Sequence, residues 1–101
     1  MRIIGRKTLK EFYLIHPQAK GPLDSWHNDV KHAEWKTSAD LKQRYSSASF
    51  LSDNRIVFNI SGNKYRLLCR VRYEPGIVFI LFVGTHGEYD NIDASIYRYR
   101  S

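Results

Sequence analysis

The later part of the chain contains three apolar segments separated by two short turns, and this pattern constrains the fold more than any other feature. In residues 55–60 and 64–73 the apolar side chains recur at every second position, as in half-buried strands. Residues 61–63 (Ser-Gly-Asn) and 74–76 (Glu-Pro-Gly) are typical turn sequences. The run IVFILFV at residues 77–83 is typical of a central strand buried on both faces. Because short turns join antiparallel neighbours, we predict an antiparallel three-stranded meander.

The earlier part of the chain shows helical spacing of its apolar residues instead. The sequence also predicts a short strand at residues 1–4 and helices over 8–15 and 23–35. A third predicted helix, capped by Thr37 or Ser38, runs through Tyr45 and is followed by a serine-rich loop at 46–49. A last predicted helix, capped by Asn91 or Asp93, ends in 97–100. Together they predict an α+β fold, with N-terminal helices packed on a C-terminal antiparallel sheet, in a single domain over residues 1–101.

The charge of the chain favours polyanionic partners. Sixteen lysines and arginines against ten acidic residues give a net charge of +6, so nucleic acid or the ribosome is the leading partner class. An acidic protein partner and mere solubility are the alternatives. The chain has no apolar run of about 18 residues and no secretory signal pattern, so we expect no membrane partner and a cytoplasmic location. The single cysteine, Cys69, is expected to fill core space.

One side of the strand at residues 64–73 is predicted to be cationic. Strand periodicity places Tyr65 and its alternate neighbours in the core and Lys64, Arg66, Arg70 and Arg72 on the other face. Alternate strand residues are about 6.6 Å apart, close to the spacing of RNA phosphates, so this face is a candidate for RNA binding. A solvated sheet face, or a face that binds an acidic protein segment, would show the same pattern.

The segment after the apolar run carries groups suited to phosphodiester chemistry. His86, Glu88, Tyr89 and Asp90 follow that strand and are expected to lie next to the cationic one. RNA is cleaved when its own 2′-hydroxyl attacks the adjacent phosphorus, which needs a base, an acid and nearby cations. His86 could be the base or the acid, and Tyr89 could stack on a base or donate a proton. The alternative is a loop whose tyrosine packs on the domain. No metal site or other cofactor is expected.

Two motifs carry a resemblance to a known family. Residues 58–67 (FNISGNKYRL) and residues 83–90 (VGTHGEYD) resemble the HigB toxins of bacterial type II toxin-antitoxin systems. The resemblance implies a RelE-like microbial ribonuclease fold, cleavage of mRNA that is often tied to the translating ribosome, and growth inhibition. It also implies neutralisation by a HigA-like antitoxin with a helix-turn-helix domain, so that DNA is contacted only through the antitoxin.

The motifs also imply where the site lies. They place Asn63 and Arg66 in its strand part and His86 and Tyr89 in its C-terminal part, whereas Lys64, Arg70 and Arg72 are added from strand periodicity. We therefore predict Arg66, His86 and Tyr89 as catalytic residues and Asn63, Lys64, Arg70 and Arg72 as RNA-binding residues. Which residue is the base and which the acid is left open by the sequence.

Two other functions fit the same residues. The first is a noncatalytic RNA- or ribosome-binding protein that uses the same cationic face, and the second is a subunit that only anchors an acidic or DNA-binding partner. An antitoxin is expected either on the cationic face or on the helical half, where Leu9, Phe12 and Trp26 would leave apolar surface. Ser61 occupies a turn position where glycine is common, and its backbone is strained if its φ is positive.

Overall fold

The computed structural model describes residues 1–98. The elements are, in chain order, β1 (Arg2–Ile4), α1 (Arg6–Ile15), a 3-10 turn (Pro17–Ala19), α2 (Lys20–Lys31), α3 (Ser38–Arg44), β2 (Ser49–Phe50), β3 (Arg55–Ile60), β4 (Tyr65–Arg72), β5 (Ile77–Thr85) and α4 (His86–Asp90). None of the helices in this part of the chain is long and apolar enough to span a membrane.

The five strands form one sheet in the order β1-β5-β4-β3-β2. β3, β4 and β5 are antiparallel neighbours, which confirms the predicted meander. β1 joins the edge of β5 in the parallel direction, with Arg2 paired with Ile77. Parallel neighbours need a long connection, and the helices and strands between β1 and β5 supply it. The sheet is therefore mixed, and β4 rather than β5 holds its central position.

The helices cover one face of the sheet and enclose the main core. Trp26 of α2 and Tyr45, which follows α3, both contact Phe58 of β3 edge-on, with ring centroids 5.3 and 5.1 Å apart. Leu9 and Phe12 of α1 are buried in the same core. Aromatic rings in this arrangement combine a large buried area with a defined contact geometry. N-terminal helices on a mainly C-terminal sheet confirm the predicted α+β fold class.

The apolar side chains that the helical half exposes are not the predicted ones. Leu9, Phe12 and Trp26 are buried, so the expectation that they leave apolar surface for an antitoxin is wrong. They are buried because the apolar faces of α1 and α2 pack fully on the sheet. Leu14 and Ile15, at the end of α1, are instead 77% exposed.

Residues 91–98 cross the second face of the sheet and do not form the predicted final helix. Ala94 packs there on Val57 and Leu68, and all three side chains are buried. The guanidinium of Arg55 donates hydrogen bonds to two carbonyls of this segment, at 2.9 and 2.6 Å. These tertiary contacts hold the segment in turns, so the helix prediction is wrong here; the end of that predicted helix lies outside the described residues.

β5 contains a bulge that changes which of its side chains are buried. Leu68 pairs with Phe82 and the next residue, Cys69, pairs with Ile80, so Leu81 is an extra residue. Leu81 and Phe82 lie half-buried in the cluster on the second face. The prediction that this strand is buried on both faces is therefore wrong, because residues 91–98 cover only part of the second face.

A local cap explains where α3 begins, whereas pairing with a neighbouring strand explains β2. Thr37 caps α3: its hydroxyl accepts a hydrogen bond from the Asp40 backbone N–H, and the Asp40 carboxylate accepts one from the Thr37 backbone N–H. This confirms one of the two predicted caps. Ser49, the last residue of the predicted loop at 46–49, forms β2 together with Phe50 because the two residues pair with β3. A two-residue strand depends on its neighbour and has no clear sequence signal.

The turn between β3 and β4 contains a non-glycine residue in the left-handed region. Ser61 has φ 53° and the following Gly62 has φ 66°. Left-handed backbone brings Cβ close to the carbonyl oxygen and costs about 1–2 kcal/mol for a residue other than glycine. Because the φ of Ser61 is positive, its backbone is strained, as expected from the sequence.

Ser61→Gly is expected to raise the free energy of unfolding by about 0.5–1 kcal/mol, because relief of the strain outweighs the added entropy of the unfolded chain. Urea denaturation measures the change. Ser46→Gly is the matched control, since Ser46 has no positive φ and glycine there only adds unfolded-state entropy. A Ser61→Gly protein that is no more stable than the parent would show that this turn stores no strain.

Candidate functional site

The hairpin turn and α4 meet at one end of the sheet. Strand pairing places Arg66 of β4 opposite Gly84 and Tyr65 opposite Thr85, just before α4 begins. The backbone N–H of His86 donates to the carbonyl of Lys64 at 3.2 Å, which ties the start of α4 directly to the turn. Five of the seven predicted site residues therefore come together here: Asn63, Lys64, Arg66, His86 and Tyr89.

A capping box fixes α4 on the end of β5. The hydroxyl of Thr85 accepts a hydrogen bond from the Glu88 N–H at 3.2 Å, and the Glu88 carboxylate accepts one from the Thr85 N–H at 2.8 Å. Side chains three positions apart share a helix face, so His86 and Tyr89 are neighbours. The Thr-x-x-Glu pattern is a sequence signature of such a cap, but no helix was predicted at residues 86–90. The Glu88 carboxylate therefore has a structural role, as the acceptor for the Thr85 backbone N–H.

Arg66 supplies a positive charge that acts on Tyr89. It is half-buried, and its Nη1 lies 3.4 Å from the Oδ1 of Asn63 at the turn. Burial raises the pKa of the Tyr89 phenol, the Arg66 guanidinium acts to lower it, and Asp90 raises it further. The net effect is a raised pKa, so the phenol is protonated at neutral pH with a guanidinium beside it.

His86 has a carboxylate neighbour on its own helix. Its Nδ1 lies 3.5 Å from the Oδ2 of Asp90, four residues later, and both side chains are more than half exposed, at 55% and 60%. A carboxylate near one ring nitrogen favours the proton on that nitrogen, which leaves the other nitrogen as an acceptor in neutral imidazole. The pair is thus arranged to accept a proton from a group that approaches from solvent.

The predicted row of cations along β4 is not continuous. Lys64 lies in the turn before the strand, and Leu68 is buried under residues 91–98. Arg72 lies six positions beyond Arg66, which is about 20 Å along a strand. Arg70 is close to Arg72 and 2.9 Å from the carboxylate of Asp53. Arg66, Arg70 and Arg72 do share the predicted face of β4, but apolar side chains on this face pack under the C-terminal segment and divide the cations into two groups.

Two residues beside Arg66 shape the site and were not predicted. A Cβ on Gly84 would lie 2.6 Å from the Cζ of Phe82 and 3.1 Å from the Cβ of Glu88, so a glycine is needed for these side chains to approach the strand. Phe82 in turn contacts the ring of Tyr89, with centroids 6.5 Å apart. The bulge at Leu81 brings Phe82 to this face, and no sequence pattern announces the bulge. In the sequence, only the glycine before Thr85 indicated that side chains approach the strand closely at this point.

Metal-ligating side chains do not cluster in the described part of the chain. Among residues 1–98, no three side chains of the His, Cys, Asp and Glu types come close enough together to hold a metal ion.

A comparison with protein families bears on this geometry. The HigB toxin model, which describes the RelE-like toxic component of a toxin-antitoxin system, matches residues 19–92. The chain belongs to the HigB toxin family. Both motifs on which the resemblance was based lie inside the matched region, so that prediction is confirmed. The mixed five-stranded sheet with helices on one face is consistent with the RelE-like fold that HigB membership implies.

Sequence similarity to named HigB proteins supports this family assignment. The protein named mRNA interferase toxin HigB from Escherichia coli K12 is 33% identical over 92 residues, which cover 89% of this chain and 88% of that protein. Proteins named mRNA interferase HigB from Escherichia coli O157:H7 and Shigella flexneri match to the same extent. The names of these HigB relatives accord with the prediction of an mRNA-cleaving enzyme.

Proposed function

We propose that this HigB family member is an endoribonuclease that cleaves mRNA on the translating ribosome in the cytoplasm and thereby inhibits translation and growth. Its proposed partner is a HigA-like antitoxin with a helix-turn-helix domain, through which DNA is contacted. The whole of residues 1–101 is proposed to act as one toxin domain. The observation that carries the proposal is the convergence of Arg66, His86 and Tyr89 at the junction of β4 and α4.

The proposed reaction uses the RNA itself as the nucleophile. The 2′-hydroxyl attacks the neighbouring phosphorus, the bond to the 5′-oxygen breaks, and a 2′,3′-cyclic phosphate forms while a proton is delivered to the departing oxygen. An enzyme assists by removing the 2′-hydroxyl proton, by protonating the leaving oxygen and by stabilising charge on the phosphorane. A metal ion is not needed for any of these steps.

Arg66 is proposed to hold the scissile phosphate. A guanidinium presents paired donors that match two phosphate oxygens, and its charge does not depend on pH. The half-buried position of Arg66 strengthens its field, because less water screens it. Asn63 and Lys64 at the turn are proposed to bind the adjoining nucleotides. Arg70 and Arg72 are proposed to contact RNA farther along the sheet, as a separate group.

His86 and Tyr89 are proposed to move the protons. With Asp90 near its Nδ1, His86 is suited to accept the 2′-hydroxyl proton at its other nitrogen. Tyr89 is protonated at neutral pH and is proposed to donate to the leaving oxygen or to a phosphate oxygen, with the Arg66 charge opposing the rise in its pKa. Its ring would also stack on a base of the bound RNA.

Purified protein added to ribosomes that carry an mRNA is expected to produce new 5′ ends within the message, which primer extension detects. Expression without an antitoxin is expected to stop growth, and co-expression of a cognate helix-turn-helix antitoxin is expected to restore it. Intact mRNA together with harmless expression would refute the enzyme assignment. The same protein with naked mRNA tests whether the ribosome is needed.

A noncatalytic RNA- or ribosome-binding protein is the second candidate. The net charge of +6 and the exposed position of His86 favour it. It predicts binding that weakens steeply with salt and that leaves no cut ends. Cleavage by the isolated chain would exclude this candidate and also exclude a subunit that only anchors a partner.

A further inference from the structure

Arg55 is the one buried charged side chain among residues 1–98. Its Nη1 donates to the backbone carbonyls of Ala94 at 2.9 Å and Tyr97 at 2.6 Å. A buried charge is costly unless it is well hydrogen-bonded, and here the bonds go to one segment that carries little secondary structure of its own. Arg55 therefore acts as the anchor of residues 91–98 on the second face of the sheet.

The anchored segment presents an aromatic ring to the site. The ring of Tyr97 contacts Phe82 edge-on, with centroids 5.3 Å apart and an angle of 70° between the planes. Phe82 contacts Tyr89 at 6.5 Å and 48°. Both separations lie in the range in which aromatic pairs attract one another. Tyr97, Phe82 and Tyr89 thus form a row of rings that leads from the anchor to the candidate site.

Gly84 and Tyr97 limit the position of Phe82 within this row. Its ring lies over Gly84, where an added Cβ would come within 2.6 Å of it, and Gly84 is the strand partner of Arg66. Tyr97 limits the ring on the side of the C-terminal segment. The Phe82 ring thus lies between Gly84 and Tyr97, and it also contacts the ring of Tyr89.

We propose that Phe82 and Tyr97 are positioning residues that hold the Tyr89 ring beside Arg66, and that Arg55 anchors Tyr97 for this purpose. The proposal rests on the proposed function in that Tyr89 acts on RNA. Tyr89 belongs to a helix of five residues whose capping box fixes its backbone start, but the capping box does not orient the ring. The contact with Phe82 supplies that orientation.

Tyr97→Leu and Tyr97→Phe test this role as a matched pair, because phenylalanine keeps the ring and leucine removes it. Tyr97→Leu is expected to lower kcat for mRNA cleavage about 10- to 100-fold, since small misplacements of catalytic groups have effects of this size. Its KM is expected to stay within about twofold, because Arg66 still binds the phosphate. Tyr97→Phe is expected to keep the parent values of both.

A readout that needs no cleavage accompanies the kinetics. The NMR cross-peaks between the Tyr89 ring and the Arg66 side chain, followed in the free protein, are expected to weaken in Tyr97→Leu and in Phe82→Leu and to persist in Tyr97→Phe. Phe82→Leu keeps an apolar side chain on the sheet and serves as the second variant if Tyr97→Leu does not fold. Unchanged cross-peaks in both leucine variants would overturn the positioning role.

The two measurements separate this inference from the proposed function. Parent protein that does not cleave RNA would refute the proposed function, whereas the Tyr89 cross-peaks would still decide whether the row of rings sets the position of Tyr89. Parent protein that cleaves RNA, together with a Tyr97→Leu variant of unchanged kcat, would refute the positioning role alone. A loss of kcat in Tyr97→Phe equal to that in Tyr97→Leu would also refute it, because the retained ring would then have no effect.

Discussion

Arg66→Gln is expected to lower the rate of mRNA cleavage by about 10²–10³-fold, the usual effect of removing one donor that stabilises charge in a transition state. Glutamine keeps the length and polarity of the stem but loses the charge and the paired donors. Arg66 is half-buried beside Tyr89, so glutamine would leave this position without its cation. Single-turnover cleavage on programmed ribosomes, read by primer extension, measures the rate.

Arg44→Gln is the control for this substitution. Arg44 carries the same charge but lies at the end of α3 and pairs with Asp29 at 3.0 Å on the surface, so its loss is expected to leave cleavage unchanged. Arg66→Gln is also expected to reduce the salt dependence of RNA binding by about one unit of slope, as the loss of one phosphate contact does. Cleavage by Arg66→Gln within about threefold of the parent rate would show that Arg66 does not hold the scissile phosphate.

Tyr89→Phe is expected to lower cleavage by about 10²–10³-fold if the phenol donates a proton or hydrogen bond in the transition state. Phenylalanine keeps the ring that contacts Phe82 and removes only the hydroxyl. The raised pKa of Tyr89 means that the group lost is a protonated donor at neutral pH. Rates from single-turnover cleavage at saturating protein isolate this effect from binding.

Tyr73→Phe and Tyr89→Ala complete the comparison. Tyr73 follows the opposite end of β4, and burial raises the pKa of its phenol too, so Tyr73→Phe controls for the loss of a half-buried hydroxyl and is expected to cleave like the parent. Tyr89→Phe with parent activity, next to an inactive Tyr89→Ala, would assign Tyr89 a stacking role and leave the proton to another group.

The parts of the fold that were predictable depend on local patterns. The alternation in β3 and β4, the turn at Gly62 and the cap at Thr37 are each encoded within a few neighbouring residues, and each was recovered. The bulge at Leu81 was not, because one extra residue in an apolar run leaves the pattern of hydrophobicity unchanged. β2 owes its conformation to pairing with the next strand, β3, and residues 91–98 owe theirs to contacts with strands far away in the chain; the pattern of the two segments themselves displays neither contact.

The candidate site was also predicted from the sequence only in part. The two motifs brought Asn63, Arg66, His86 and Tyr89 into one prediction, and the structure places these residues at one end of the sheet. Strand periodicity alone extended the site to Arg70 and Arg72, because alternation identifies a face without saying what covers it. Burial of Leu68 under Ala94 could not be read from either segment, since the two residues are far apart in the chain.

The parallel pairing of β1 with β5 bears on how the protein is synthesised. Arg2 and Ile77 are partners, so during synthesis β1 waits for a partner strand that lies 75 positions later in the chain. Contacts of such long sequence separation slow folding, because much of the chain must be ordered before they form. His86 and Tyr89 follow β5 and emerge later still. A growing chain therefore has no assembled candidate site until β5 and the residues after it have been made.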